Sequence, residues 1–507
     1  MTDTTDKIAT NAAATTTDDE KKRMRDRVEG LLKLSPSIST GSVTIGKKAL
    51  SYAVSAGFVP VVANMSDTHK GEADAALFLT SYTQHVKGVA PDPAARPLMF
   101  AFNGGPGSSS IWLHLGALGP KRLAINDDGT MPPPPYAVQD NPHTWLEHFD
   151  LVFIDPPHTG YSLTASDAAR KKMFSVDGDV EALAECIRVH LTRSKRWGSP
   201  IYLAGESYGT TRGAALADKL LDLGIALAGV VLVSCAMDIQ SLDFEGKNDL
   251  AYALYVPGFA ATAHYHGKLK GAHAKSGAAA RLAAEQFVTS EYLAALHLGA
   301  RLPAAKRQQI ALRLSELIGL SAQVILDNDL RVSDATFFAE LLRDEGKIVG
   351  RLESRVTGPL GVKKSRAWDF DPGIEALVGP YTMAANAYFQ GTLGIGSDQK
   401  YAVFSDTAHK EWNWLQGESK GNSYTSTSGA LARALRRNPH LRVLVASGYY
   451  DLGTPYSASD WSLARLDLTP EVMARITHHY YEAGHMMYTR TDDLLKLKAD
   501  LKNWLQA

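Results

Sequence analysis

Short apolar runs of strand length alternate with amphipathic stretches of helical period along most of this chain. Near the N-terminus, Ser42–Gly46, Ala49–Ala53 and Phe58–Ala63 are β-rich runs split by glycine, which predicts a β-meander. Further strands are predicted at Ala76–Tyr82, Pro97–Phe102, Leu151–Ile154, Ile201–Ala204, Ala228–Cys235, Leu441–Ser447 and Ile476–Tyr481. Helical spacing marks Val176–Leu191, Arg212–Leu221 and Asp492–Leu505, the last with Thr491 as its N-cap. From about 240 to 425 the strand pattern gives way to Ala- and Leu-rich helical spacing, as in Ala278–Phe287, Glu291–Leu298 and Ala304–Ile318. Alternating strands and helices imply an α/β architecture with a mostly parallel central sheet, and the long interruption implies a helical cap over one end of it. The expected division is an N-terminal tail over 1–40, disordered or partly helical, a first core segment over 41–239, the cap over 240–425 and a second core segment over 426–507. The first twenty residues, rich in Thr, Ala and Asp, read as disordered, and Asp18–Leu34 as a short helix.

Composition narrows the function classes. The 507 residues include 53 Lys+Arg and 54 Asp+Glu, a formal charge of −1 with no basic block, so nothing points to nucleic acid or an anionic membrane. No apolar run approaches the ~20 residues of a spanning helix, and no secretory leader pattern is visible. The expected location is cytoplasmic by default, or periplasmic or secreted if a leader has been removed. The two cysteines, Cys186 and Cys235, sit in apolar settings and read as buried reduced thiols, which does not suit an oxidising compartment.

The candidate chemistry centres on Gly205-Glu206-Ser207-Tyr208-Gly209. An apolar strand runs into it and a helical pattern follows, so Ser207 stands at the apex of a sharp strand-to-helix turn, where its Oγ is available as a nucleophile. A serine hydrolase on such a sheet needs an acid and a histidine later in the chain, at strand ends. Asp451 and His485 meet both conditions: His485 takes the Ser207 proton, and Asp451 holds the imidazole tautomer. The Tyr208 N–H and the Gly105 N–H, the latter from the loop Asn103-Gly104-Gly105, are the expected oxyanion donors. A phosphate-cradling loop would need a Walker-type or dinucleotide-binding glycine pattern, and neither is present. No cofactor is called for. His264 and His266 are two apart on a helical pattern and share no face, so no metal site is expected.

These motifs together resemble the serine carboxypeptidases, peptidase family S10, on the α/β-hydrolase fold. The matching pieces are Phe102 to Gly107, Leu118 to Pro120, Asn141-Pro142 with Trp145, Asp155 to Ser162, Gly205 to Gly209, Ser447 to Asp451 with Pro455, and Ala483 to Met486. The resemblance implies that Ser207, Asp451 and His485 form the triad and that Gly105 and Tyr208 supply the oxyanion N–H groups. It also implies that Asn103, Gly104 and Glu206 recognise the terminal carboxylate of a peptide substrate. Glu206 binds a carboxylate only if one of the two carries a proton, so a raised Glu206 pKa and acid-favoured peptidase activity follow.

The chain departs from the family at several points. The second glutamate that usually pairs with the one before the nucleophile is here Ala117, so a smaller rise in the Glu206 pKa and a pH optimum nearer neutral are expected. Ser108 replaces the usual cysteine and the family's disulfides are absent, which resembles bacterial members. The Asp155 loop is one residue shorter, with His158 in it as a surface or subsite residue, and Tyr488 stands where proline is common. The leading function is a metal-independent carboxypeptidase acting on peptides with a free C-terminus. An esterase or amidase, or an acyltransferase, would use the same triad, but neither needs the carboxylate-binding set. Hydroxynitrile lyases also occur on this fold.

Overall fold

One sheet of nine main strands and a two-residue strand at Leu163–Thr164 organises the molecule. The computed structural model describes residues 5–62, 72–85, 92, 96–361, 368–414 and 424–506. Strands β1 (Ser37–Ile45), β2 (Lys48–Val61) and β3 (Ala75–Gln84) form an antiparallel meander. They continue into β4 (Leu98–Phe102), β5 (Asp150–Ile154), β6 (Ile201–Glu206), β7 (Leu227–Val233), β8 (Arg442–Gly448) and β9 (Ile476–Tyr481). The spatial order is β1-β2-β3-β5-β4-β6-β7-β8-β9. Every pairing from β5 to β9 along this path is parallel. Strands buried on both faces read as unbroken apolar runs, as β4 and β5 do, because helices cover both sides.

The main helices are α1 (Thr5–Lys33), α2 (Val176–Ser194), α3 (Tyr208–Asp222), α4 (Val256–Tyr265), α5 (Gly277–Phe287), α6 (Ala304–Ile318), α7 (Pro372–Ala387), α8 (Ser428–Arg437) and α9 (Thr491–Gln506). Leu183 of α2, Leu216 of α3 and Leu435 of α8 pack on one face of the sheet with Leu203 and Leu232. Tyr381 of α7 and Leu497 of α9 pack on the other with Val231 and Leu444.

Three expectations need correction. The glycine at 57 does not break the meander: it lies inside β2, where a side chain would come within 3.0 Å of Pro36. The real turn is at Gly46-Lys47, between the paired residues Ile45 and Lys48. Ala63, expected to end the third of these runs, lies outside the described residues. The N-terminal stretch carries α1 from Thr5 and then the start of β1. Val28 on that helix is buried against Ala76 and Ala165, which an isolated Thr- and Ala-rich pattern does not reveal. The 240–425 insertion divides in two. Helices α4 to α6 share a separate core that includes Phe259, Leu314 and Phe337. From α7 onward, Tyr381, Phe389 and Tyr401 rejoin the core beside the sheet. No helix among the described residues is long and apolar enough to cross a membrane. Cys186 and Cys235 are free and buried, and burial pushes both thiols up, Cys235 to about 12.

Candidate active site

The chain turns sharply between β6 and α3. Ser207 sits there at φ 61° and ψ −131°, a backbone conformation that a non-glycine residue rarely adopts. Such a geometry costs on the order of 1–3 kcal/mol and persists only where its surroundings enforce it. They do so here: Ser207 N donates to Val233 O at 2.9 Å, and Thr210 N donates back to Ser207 O at 2.8 Å. The flanking glycines are required for close approach, since a Cβ at Gly205 would lie 2.2 Å from Gly209 O. Ser207 itself remains partly exposed.

Asp451 and His485, 34 residues apart, meet beside this turn. His485 Nδ1 lies 2.8 Å from Asp451 Oδ2. The other Asp451 oxygen accepts from Gly453 N at 2.8 Å and Thr454 N at 2.9 Å, and Thr454 Oγ1 donates to Oδ2 at 2.8 Å. A carboxylate held by so many donors is fixed in orientation and well solvated by the protein. The His485 backbone is fixed too, by Leu352 O accepting its N–H at 2.7 Å and by Ser234 Oγ donating to its carbonyl at 2.6 Å. Burial disfavours the imidazolium, but the Asp451 carboxylate, its hydrogen bond and Glu206 outweigh this and raise the His485 pKa above its usual value.

The Asn103-Gly104-Gly105 loop follows β4 and lies against the first turn of α3. A Cβ on Gly104 would come 2.4 Å from Tyr208 N and 2.5 Å from Gly209 N, so only glycine fits. Gly105 has φ 103°. The first N–H groups of a helix have no partner within it and point outward as donors. The loop is anchored from beneath: buried Arg212 donates to Asn103 O at 2.5 Å and pairs with Asp179 at 2.7 and 3.2 Å.

Glu206, the residue before Ser207, is buried. Asn103 Nδ2 donates to its Oε1 at 2.9 Å and Tyr488 OH to its Oε2 at 2.7 Å. Asn103 is itself oriented, its Oδ1 accepting from Leu113 N at 3.1 Å. Burial pushes the Glu206 carboxyl up to about 7, against the downward pull of His485, Tyr488 and Asn103. Burial is the largest cause of the rise and the nearby Asp451 carboxylate adds to it, so the Glu206 carboxyl is raised even with Ala117 in place of the second glutamate.

Several flanking motifs take structural roles. Asn141 Nδ2 donates to Ala117 O and Gly119 O, both at 2.8 Å, pinning the turn through Pro120. Buried Asp155 accepts from Ser110 N at 2.9 Å, Ser110 Oγ at 2.8 Å and Tyr401 OH at 3.2 Å, with its carboxyl pushed up to about 6 by burial. His158 is a brace: half-buried, it meets Thr164 Oγ1 at 2.7 Å, and burial lowers its pKa to about 4. His266 contacts Ser354 O at 2.8 Å.

Sequence reasoning missed Thr454, Ser234, Tyr401 and the run from 401 to 414. That run straps the glycine loop through Ser109 N to Val403 O at 3.0 Å and Ser405 N to Gly107 O at 2.8 Å, and its Trp412 packs on Tyr208. Only the Ser447–Pro455 motif carried a hint of one of them, since Thr454 lies inside it.

Comparison with known proteins bears on this arrangement. Residues 50–237 match the model of the family described as serine carboxypeptidase. That segment is similar to the serine carboxypeptidases. Among curated relatives, the pheromone-processing carboxypeptidase KEX1 of Coprinopsis cinerea is 30% identical over 30% of this chain and 25% of its own length. Serine carboxypeptidase-like 33 of Arabidopsis thaliana is 26% identical over 32% of this chain and 34% of its own. Carboxypeptidase Y of Saccharomyces cerevisiae is 28% identical over 23% and 20%. The chain thus spans between a fifth and about a third of these relatives. The serine carboxypeptidase segment includes the glycine loop and the Ser207 turn, while Asp451 and His485 lie beyond it.

Proposed function

We propose that this protein is a serine carboxypeptidase in activity, removing the C-terminal amino acid from peptides. In this reading Ser207 Oγ attacks the last peptide carbonyl while His485 accepts its proton, and Asp451 stabilises the resulting imidazolium. The N–H groups of Gly105 and Tyr208 receive the oxyanion. His485 then protonates the leaving amine, and water resolves the acyl-enzyme on Ser207 by the same route in reverse. Asn103, Gly104 and Glu206 hold the substrate's terminal carboxylate, with Glu206 protonated. The observation that carries the reading is Glu206: a buried carboxyl next to the nucleophile, oriented by Asn103, serves no step of simple ester hydrolysis.

The test compares kcat/KM for an N-blocked dipeptide and its C-terminal amide, from about pH 4 to 9. The expected result is strong preference for the free acid, with both activities falling more than about a thousandfold in Ser207→Ala. Equal rates on the two substrates, or turnover of activated esters only, would replace this reading with an esterase or acyltransferase.

A further inference from the structure

Glu206 has a second neighbour that no motif announces. Its Oε2 accepts from the phenol of Tyr488, which follows His485 by three residues and is fully buried. The ring packs against Gly116, from a segment far earlier in the chain. A side chain at Gly116 would come 2.4 Å from Tyr488 Cε2 and 2.7 Å from Tyr381 OH, and Ala117 beside it is fully buried. A larger residue at 117 would add bulk to this packed region. Gly116 and Tyr488 therefore fit together.

Resting on the carboxypeptidase reading above, we propose that Tyr488 is a positioning residue for the substrate's free carboxylate, holding Glu206 at Oε2 while Asn103 holds it at Oε1. The two donors fix the plane of the carboxyl group, and the proton that Glu206 takes up becomes the donor for the incoming carboxylate. A phenol differs from a second carboxylic acid in one respect that matters here. Burial keeps it neutral, so it adds no negative charge and shares no proton; it only favours the ionised form of Glu206. The other groups facing Glu206 are His485 and Asp451 from the triad and Tyr381 from α7. Free-acid recognition is thus governed by one titrating carboxyl whose midpoint Tyr488 pulls down.

The readout is the ratio of kcat/KM for the free acid to that for the amide as a function of pH, in which effects common to both substrates, including His485 titration, cancel. In the unmodified protein the ratio falls with rising pH as Glu206 loses its proton. In Tyr488→Phe the midpoint of that fall moves up by on the order of one pH unit, since a donor to the anion is lost. A ring-fluorinated tyrosine at 488, nearly isosteric and a stronger donor, moves it down and keeps the question answerable if the Phe variant folds poorly. An unmoved midpoint in both, with Glu206→Gln abolishing the pH dependence, overturns the role of Tyr488 and leaves the carboxypeptidase reading standing. If Glu206→Gln leaves the ratio's pH dependence intact, the carboxylate role of Glu206 falls, and this inference with it.

Discussion

At the scale of single residues, the site sets two titrating groups with opposed needs close together. In the proposed mechanism His485 must be neutral to accept a proton, and Glu206 must be protonated to meet a carboxylate. Each protonation state supports the other, because a neutral Glu206 removes one of the anions that favours the imidazolium. With the Glu206 carboxyl pushed up to about 7, the proposed free-acid recognition is expected below that pH and is expected to be lost above it. The same shift predicts a stability effect. A carboxyl whose pKa is raised on folding contributes stability that is full below its unfolded value and is lost as pH rises through its folded value. Glu206→Gln is therefore expected to raise Tm relative to the unmodified protein at pH 8 and much less at pH 5, the difference amounting to a few kcal/mol. Thermal unfolding of both proteins at the two pH values checks this. Thr454→Val, which takes a donor from Asp451 Oδ2, is expected to lower kcat about tenfold with little change in KM, measurable on the amide substrate.

At the scale of elements, the proposed oxyanion site requires the close approach of the β4 loop to the start of α3. Gly104→Ala forces a methyl group into Tyr208 N and must push the loop away from the helix. The expected outcome is a loss of about a hundredfold or more in kcat with the fold retained, seen by comparing kinetics with circular dichroism. The Arg212–Asp179 pair supports that approach from below. Removing either partner leaves an unpaired charge in the interior, at a cost of about 3–5 kcal/mol. Asp179→Asn should therefore lower the denaturant midpoint sharply, and activity should fall in proportion to the unfolded fraction. The strand boundaries of β4 to β8 were legible because buried parallel strands leave largely unbroken apolar runs ended by glycine or a polar residue, whereas the half-buried edge strand β9 mixes polar and aromatic residues. The glycine at 57 in β2 misled because a strand glycine that clears a neighbouring residue looks, in sequence, like one that turns the chain.

For the whole molecule, the proposed catalytic groups lie after three strands of one sheet, and segments far along the chain hold them there. The Leu352-Glu353 stretch, part of the insertion, contacts His485 N and Gly484 N directly. Glu353 is in turn gripped by Arg355 through two hydrogen bonds of 2.9 and 2.7 Å. The insertion is thus joined to the histidine loop as well as lying over the sheet, and changes in it should reach kcat as well as substrate preference.

The sequence by itself determined the α/β architecture, the strand-turn-helix at Ser207, the order of Ser207, Asp451 and His485, and the glycine loop at 103–105. These depend on short-range patterns: periodicity, glycine at a tight turn, and residue types fixed by a reaction. Tertiary structure alone decided that α1 is anchored, that the 240–425 insertion splits between its own core and that of the sheet, and that Tyr488 meets Glu206 from 282 residues away. It also decided the protonation of Glu206, because desolvation belongs to the surroundings that folding assembles around a residue and is not written in the residues beside it in the chain.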